Sequence, residues 1–525
     1  MAARRFTLAI LSLSLLVVAC GSDDPGVESS GSADATEAPA TSDAPDDSTG
    51  TDNTDDADVD DDSTASTTEQ WPTPTIEWSE CGDNLECGAI DVPIDYSDAD
   101  SASTSLALVR HLALDPDNRI GSLLVNPGGP GFGGTYLALR ASQIYSQEIL
   151  DRFDVVGFDP RGTGTSVPAI DCIDDYDDWF AIGDVTPDSD EERQELVDLQ
   201  ERFTEVCFEK NGEILPHVGT NNVARDMDMI RRALGEKKIS YFGFSYGSEL
   251  GAVWATLFPG TVRAAVLDGA ADPEADSDES SLQQIIGFEE AIATFLAECS
   301  EDSTCAIHNG GDAEGAFDEF METLDENPIP TETGRPDLTR GMALTAVAQA
   351  MYSDAYWPTL EQALADAIDG DGSGLLELWD TYFQRLPNGS YGNELEAFTN
   401  ILCADEPERT TIEEADAVTD RFREAGPRFA PGSTGNYGCV FWPAALDPRV
   451  AVTGKGAGPI LVIGTTGDSA TPLDSTRNMV RALEDGRLIV ADAKQHTGYN
   501  TSLCVNDAVD RYLVDLEAPD DQLDC

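Results

Sequence analysis

Short apolar runs recur along the chain from about residue 89 to 491, and most are followed by stretches with apolar residues every three or four positions. Runs of four to eight residues rich in β-branched and aromatic side chains predict strands, and the intervening spacing predicts helices. Eight strands are expected, at 89–94, 105–114, 122–126, 153–158, 239–244, 264–268, 459–464 and 487–491. Helical periodicity at 282–299, 342–352, 360–368 and 375–386 falls in one long segment between the sixth and seventh strands. Strands alternating with helices favour a mostly parallel sheet covered on both faces. The fold class expected is therefore α/β, an eight-stranded sheet with a helical cap inserted after strand 6. The first two strands are the exception. The polar run "IDYSDAD" between them reads as a turn, which predicts an antiparallel start. No internal repeat is visible.

The N-terminal pattern differs. Arg4 and Arg5 precede an apolar run over 6–18 that is too short to span a bilayer. The run ends in "LVVAC", and Val17-Val18-Ala19-Cys20 resembles a bacterial lipobox, whose cysteine is lipidated and becomes the first mature residue. An ordinary signal peptide cut nearby is the other reading. Residues 21–70 then hold 16 acids and no Lys or Arg, among Ser, Thr, Ala, Gly and Pro. Such a stretch has no apolar face to offset the entropy of ordering and reads as a tether, with a reach of roughly 40 Å. The expected organisation is a leader over 1–20, an acidic linker over 21–72, core over 73–270, cap and return segment over 271–456, and the rest of the core over 457–525. The expected location is the outer face of the cytoplasmic membrane, through the lipid on Cys20, or release from it.

Composition narrows the function. The 525 residues carry 100 acids against 30 bases, a net charge of -70. A chain this acidic repels nucleic acid and anionic lipid surfaces, so membrane contact is expected only through the lipid anchor. Besides Cys20 there are ten cysteines, an even number that reads as five disulfides in an oxidising compartment. They fall into short-range pairs: Cys81 with Cys87, Cys172 with Cys207, Cys299 with Cys305, Cys403 with Cys439, and Cys504 with Cys525. Sequential pairing is the expectation, although spacing alone does not fix connectivity. The four histidines, His111, His217, His308 and His496, are scattered, and no metal site or cofactor is expected. A monomer is expected.

Candidate chemistry centres on "YFGFSYGSELG", where Ser245 lies in a Gly-x-Ser-x-Gly string. The string decides little in a chain with 46 Gly, but its context is strand, turn, helix. A serine on such a turn is exposed and strained, and it can act as a nucleophile. It then needs a base and an orienting acid, in the chain order Ser, acid, His. Two histidines follow Ser245. His308 lies inside the cap beside a cysteine pair, as a surface loop would. His496 follows the last strand, where a base belongs. Asp468, after the preceding strand in "GTTGDSATP", is the candidate acid, and Asp492 competes but stands close in sequence to His496. Oxyanion donors are expected from the N–H of Tyr246 and from the loop "NPGGPGFGG", with Gly129 as its candidate.

Together "NPGGPG", "DVVGFDPRGTGTS", "GFSYGSELG", "GDSATP" and "QHTGY" resemble, in order and spacing, the secreted actinobacterial tripeptidyl-aminopeptidase group of α/β-hydrolases, relatives of the proline iminopeptidases. "NILCAD" and "CVFWP" resemble that group's cap-to-core region, and the resemblance spans about residues 75–525. It implies a serine exopeptidase that releases short peptides, tripeptides foremost, from free N-termini through an acyl-enzyme. A carboxylesterase with the same triad is the alternative, and a non-catalytic surface binding lipoprotein is a remote one. An aminopeptidase needs a carboxylate partner for the substrate ammonium. Asp405 and Glu406 in "CADEPE" are candidates, with solvated surface charge as the other reading. Glu249, charged and early in the nucleophile helix, departs from expectation. It either faces the substrate or complements the helix N-terminus.

Overall fold

The computed structural model describes residues 68–525 apart from 182–185, 188, 431–435 and 521. The leader, most of the linker and Cys20 lie outside the described residues. Among the described residues ten strands form one sheet: β1 Ser79–Gly82, β2 Leu85–Pro93, β3 Ser103–His111, β4 Gly121–Asn126, β5 Phe153–Phe158, β6 Ile239–Phe244, β7 Val262–Asp268, β8 Ile460–Thr465, β9 Gly486–Ala491 and β10 Leu523–Asp524. Their spatial order is β1-β2-β3-β5-β4-β6-β7-β8-β9-β10. Pairing is antiparallel from β1 through β3 to β5 and parallel from β5 to β10. The antiparallel start and the parallel remainder agree with the pattern in the sequence.

The count of eight strands is corrected to ten. Both additional strands are edge strands, too short and polar to carry an apolar alternation. β1 is the four-residue "SECG", stapled to β2 by the Cys81–Cys87 disulfide. β10 has two residues beside Cys525, which is bonded to Cys504 and donates its N–H to the Val490 carbonyl.

The central strands are apolar on both faces because helices cover both. All six residues of β4, β5 and β8 are buried, as expected of a parallel sheet inside two helical layers. Leu123, Val125, Phe242 and Ile463 face one core, packed by Ile149 and Leu150 and by Val505, Val509 and Leu513 of the helix Leu503–Asp515. Leu124, Val156, Tyr241 and Leu267 face the other, with the helices Thr220–Ala233 and Tyr246–Leu257.

Between β7 and β8 the chain leaves the sheet and forms eight α-helices among the described residues, from Ser277–Glu301 to Thr419–Ala425. The four expected helical stretches fall here, the last ending at Tyr382 rather than 386, where Gln384 turns to φ 55°. The insertion returns along the helix Glu394–Asp405. There the backbone of Glu394 and Phe398 abuts Gly131, so closely that a Cβ on this glycine would lie 2.3 Å from the Glu394 carbonyl. The inserted helices thus touch the glycine loop that follows β4.

Candidate active site

The loops after β4, β6, β7, β8 and β9 gather at the C-terminal edge of the parallel strands, where open α/β sheets place their sites. Ser245 immediately follows β6 and caps the helix Tyr246–Leu257 with φ 54° and ψ −127°. A non-glycine residue in that region is strained, and a surrounding structure must hold it. Its N–H donates to the Asp268 carbonyl at 2.8 Å, and its carbonyl accepts from Ser248 at 2.7 Å. The flanking glycines are required by space. A Cβ on Gly243 would lie 2.2 Å from the Gly247 carbonyl, and one on Gly247 would lie 2.9 Å from the Asn126 carbonyl.

Asp468 and His496 meet across the β8–β9 edge. The His496 Nδ1 lies 2.9 Å from Oδ1 and 3.0 Å from Oδ2 of Asp468. Asp468 is buried, and its Oδ1 also accepts from the N–H groups of Ala470 at 3.0 Å and Thr471 at 2.8 Å. The Thr471 hydroxyl donates to Oδ2 at 3.1 Å and lies 3.3 Å from Nδ1. With its Nδ1 so occupied, His496 keeps Nε2 buried and without a partner. Burial pushes the imidazole pKa down, but the Asp468 carboxylate outweighs it and holds His496 above the ordinary histidine value. The competing acid, Asp492, is exposed and accepts from the Thr466 hydroxyl. His308 is bonded to the Cys299 carbonyl beside the Cys299–Cys305 disulfide, away from these loops.

The glycine loop after β4 lies over the Ser245–Tyr246 peptide. A Cβ on Gly128 would lie 2.8 Å from the Ser245 Cβ and 3.1 Å from the Tyr246 nitrogen. The Gly128 N–H is taken by Asn126 Oδ1 at 2.9 Å. Gly129, at φ 103°, has an N–H with no protein acceptor among the described residues. Tyr246 opens its helix, so its N–H lacks an intrahelical partner.

Two contributors to this site escaped the sequence. Asp268 ends β7, and both its oxygens accept N–H bonds from the histidine loop, from Gly498 at 2.6 Å and Tyr499 at 2.8 Å. Burial pushes its pKa up to about 6, against the pull of those two bonds. Tyr352, from the insertion, stacks edge-on against the His496 ring with centroids 5.5 Å apart. A strand-terminal Asp before a glycine reads as a turn signal, and no sequence signal points from Tyr352 to His496.

Comparison with known proteins shows the family. A family model described as "alpha/beta hydrolase fold" matches residues 121–309, and one described as "TAP-like protein" matches residues 430–525. The serine protease Hip1 of Mycobacterium tuberculosis is 35% identical over 478 residues, 86% of this chain and 91% of that protein. Carboxylesterase B of the same organism is 34% identical over 476 residues, 86% and 90% of the two chains. The tripeptidyl aminopeptidase of Streptomyces lividans is 31% identical over 465 residues, 84% of each. The chain belongs to the tripeptidyl-aminopeptidase-like α/β-hydrolases. It is a serine hydrolase.

Within this tripeptidyl-aminopeptidase-like frame, the acids expected at a substrate ammonium are mostly engaged by the protein itself. Asp405 accepts from the Thr220 N–H at 2.6 Å and the Thr220 hydroxyl at 2.5 Å, and that hydroxyl lies 2.5 Å from the Tyr246 hydroxyl. Asp405 therefore sits at the far end of the Tyr246 side chain, and burial pushes its pKa up to about 7. Glu249 forms an ion pair with Arg449 at 2.8 Å, and the Arg449 N–H donates to the Asp405 carbonyl. Asp405 and Glu249 are thus bonded within the protein, and Glu249 stands in the first turn of its helix, the second of its two expected places. A charge on a buried helix face has to be paired, and the chain supplies the partners. Glu406 differs. Its carboxylate makes no hydrogen bond or ion pair among the described residues, and it lines a cavity of about 230 Å³ with Asp276, Asp278 and Glu408.

The five cysteine pairs are bonded as the short spacings suggested. Five disulfides place the folded chain in an oxidising, exported compartment. No helix among the described residues is long and apolar enough to cross a membrane.

Proposed function

We propose that the chain is a serine exopeptidase that releases short peptides, tripeptides foremost, from free N-termini. The observation that supports this reading is the paired contact of Asp468 with His496 Nδ1, which leaves Nε2 buried and without a partner, together with the strained turn at Ser245. In this mechanism Ser245 Oγ attacks the scissile carbonyl while His496 Nε2 takes its proton. Asp468 keeps the other imidazole proton on Nδ1 and stabilises the imidazolium. The carbonyl oxygen, becoming negative, receives the N–H groups of Gly129 and Tyr246. His496 then protonates the leaving amine, and water hydrolyses the acyl-enzyme by the same steps in reverse. Thr471 fixes Asp468, so the acid has little freedom to leave the imidazole.

The substrate class draws on the family names, of which serine protease and tripeptidyl aminopeptidase favour peptides. Glu406 is the free carboxylate we assign to the ammonium, within its acidic cavity. Carboxylesterase B, at similar identity, favours an esterase as the second reading. Paired tripeptide anilides with free and acetylated N-termini, assayed beside short-chain esters, separate the two. Preference for the free amine supports the exopeptidase, and equal cleavage of the acetylated peptide or faster ester turnover supports the esterase. We assign the anchor to a lipid on Cys20, the segment before residue 73 to leader and tether, 73–270 and 457–525 to core, 271–456 to cap, and the active form to a monomer.

A further inference from the structure

We infer that Asp268 is a positioning residue that locks the nucleophile turn and the histidine loop to one another at the end of β7. The inference rests on Ser245 and His496 being nucleophile and base. Asp268 is fully buried, and it uses both its backbone and its side chain. Its carbonyl accepts the Ser245 N–H at 2.8 Å. Its carboxylate accepts the N–H groups of Gly498 at 2.6 Å and Tyr499 at 2.8 Å, the second and third residues after His496. One aspartate therefore bonds to two loops that are more than 250 residues apart in sequence.

Each loop carries a strained residue at its Asp268 contact or next to it. Ser245 has φ 54°, and Thr497, a β-branched residue, has φ 74°. Neither conformation is held by its own preference. Thr497 stands between His496, bonded to Asp468, and Gly498, bonded to Asp268, so two buried carboxylates straddle the strained position. Gly269 next door, at φ 65°, has no room for a side chain. A Cβ there would lie 3.0 Å from His496 Cε1 and 3.0 Å from Thr497 Cγ2. The end of β7 is therefore a common floor for both loops.

The side chain has to be a carboxylate. Two converging N–H donors in a buried site need two acceptor oxygens, and an amide would turn its own N–H₂ against one of them. The charge also bears on His496. The titratable groups around the imidazole are Asp468, Asp268 and the Tyr352 phenol, and those around Asp268 are His496, Asp468 and the Tyr499 phenol. Both carboxylates favour the imidazolium that forms during attack, so Asp268 adds to Asp468 without touching the ring.

The test compares the full-length enzyme with Asp268→Asn, reacted with a fluorophosphonate across pH, with the labelled peptide mapped. The wild type should be labelled at Ser245. The variant should be labelled there at least tenfold more slowly, with its acid limb displaced to lower pH by about half a unit or more, because one of two charges raising His496 is gone. If the variant does not fold alone, the same comparison is made in a Thr497→Gly background, since glycine adopts φ 74° without strain. Labelling within twofold of wild type with an unmoved limb, whatever the change in Tm, would overturn the role of Asp268. A wild type labelled elsewhere would instead overturn the triad reading beneath it.

Discussion

The backbone N–H of His496 donates to the carbonyl of Tyr352 at 2.8 Å, so the inserted helices hold the histidine that the sheet presents. Next to this bond Ser353 bridges Gln495, and the Asp354 N–H reaches the Lys494 carbonyl at 3.0 Å. On the other side the Ser469 hydroxyl donates to the Met351 carbonyl at 2.9 Å. The insertion is thus bonded to both the Asp468 loop and the His496 loop.

Removing the Tyr352 ring should therefore act on chemistry more than on substrate affinity. Tyr352→Ala keeps the backbone bond but opens space beside the imidazole, and it should lower kcat by about tenfold through misplacement of the base. Tyr352→Phe keeps the ring and should stay within about twofold of wild type. Steady-state kinetics on one good substrate measures both.

The pH profile follows from the charges around His496. The base must be neutral to accept the Ser245 proton, and Asp468 holds its pKa above the ordinary value. The acid limb of kcat/KM should then fall above pH 6.5, the usual histidine midpoint. Asp468→Asn should lower kcat by about 10⁴-fold, since the tautomer and the imidazolium both lose their support. A limb below pH 6 in the wild type would contradict the assignment.

Asp405 gives a prediction about stability. Its carboxyl is raised by burial to about 7 in the folded chain, against about 3.9 when unfolded. The folded state therefore keeps a proton that the unfolded state gives up. The stability this confers is full below about pH 4 and is lost as pH rises through 7. Asp405→Asn should flatten that part of the Tm–pH curve. Its two bonds go to Thr220 rather than to a ligand, so turnover of free-amine peptides and of esters should change alike. A selective rise in KM for free-amine peptides would return Asp405 to the substrate site.

Much of this was legible in the sequence because it is local. The Ser245 turn needs only an apolar strand, two glycines and a helix, all within residues 239–257. Asp468 and His496 each follow a buried strand by a few residues, and their order makes them the candidate acid and base. The rest depends on contacts far apart in sequence. The Asp268 bonds reach 230 and 231 residues along the chain, and the pairing of Glu249 with Arg449 places its partner in the return segment. A net charge of -70 also hid the burial of Asp405, because no pattern marks which acid among 100 is buried. The edge strands β1 and β10 owe their place to disulfides rather than to β-propensity.

The Cys403–Cys439 disulfide closes 36 residues of the return segment. Replacing both cysteines by Ala should cost about 3–4 kcal/mol in the chain-entropy account. Cys403 lies on the helix that also carries Asp405 and whose start abuts Gly131. The loss should appear in urea unfolding and, under reducing conditions, in the wild type as well. Equal stability of the oxidised wild type and the variant would contradict it.

The central claim is that Ser245 is the nucleophile served by His496 and Asp468. Its most direct measurement is mass-spectrometric mapping of the residue modified by a fluorophosphonate, together with the turnover of Ser245→Ala. The account predicts a single adduct on the peptide containing Ser245, no adduct in Ser245→Ala, and loss of nearly all turnover in that variant. An adduct on any other serine, or substantial turnover by Ser245→Ala, would contradict it.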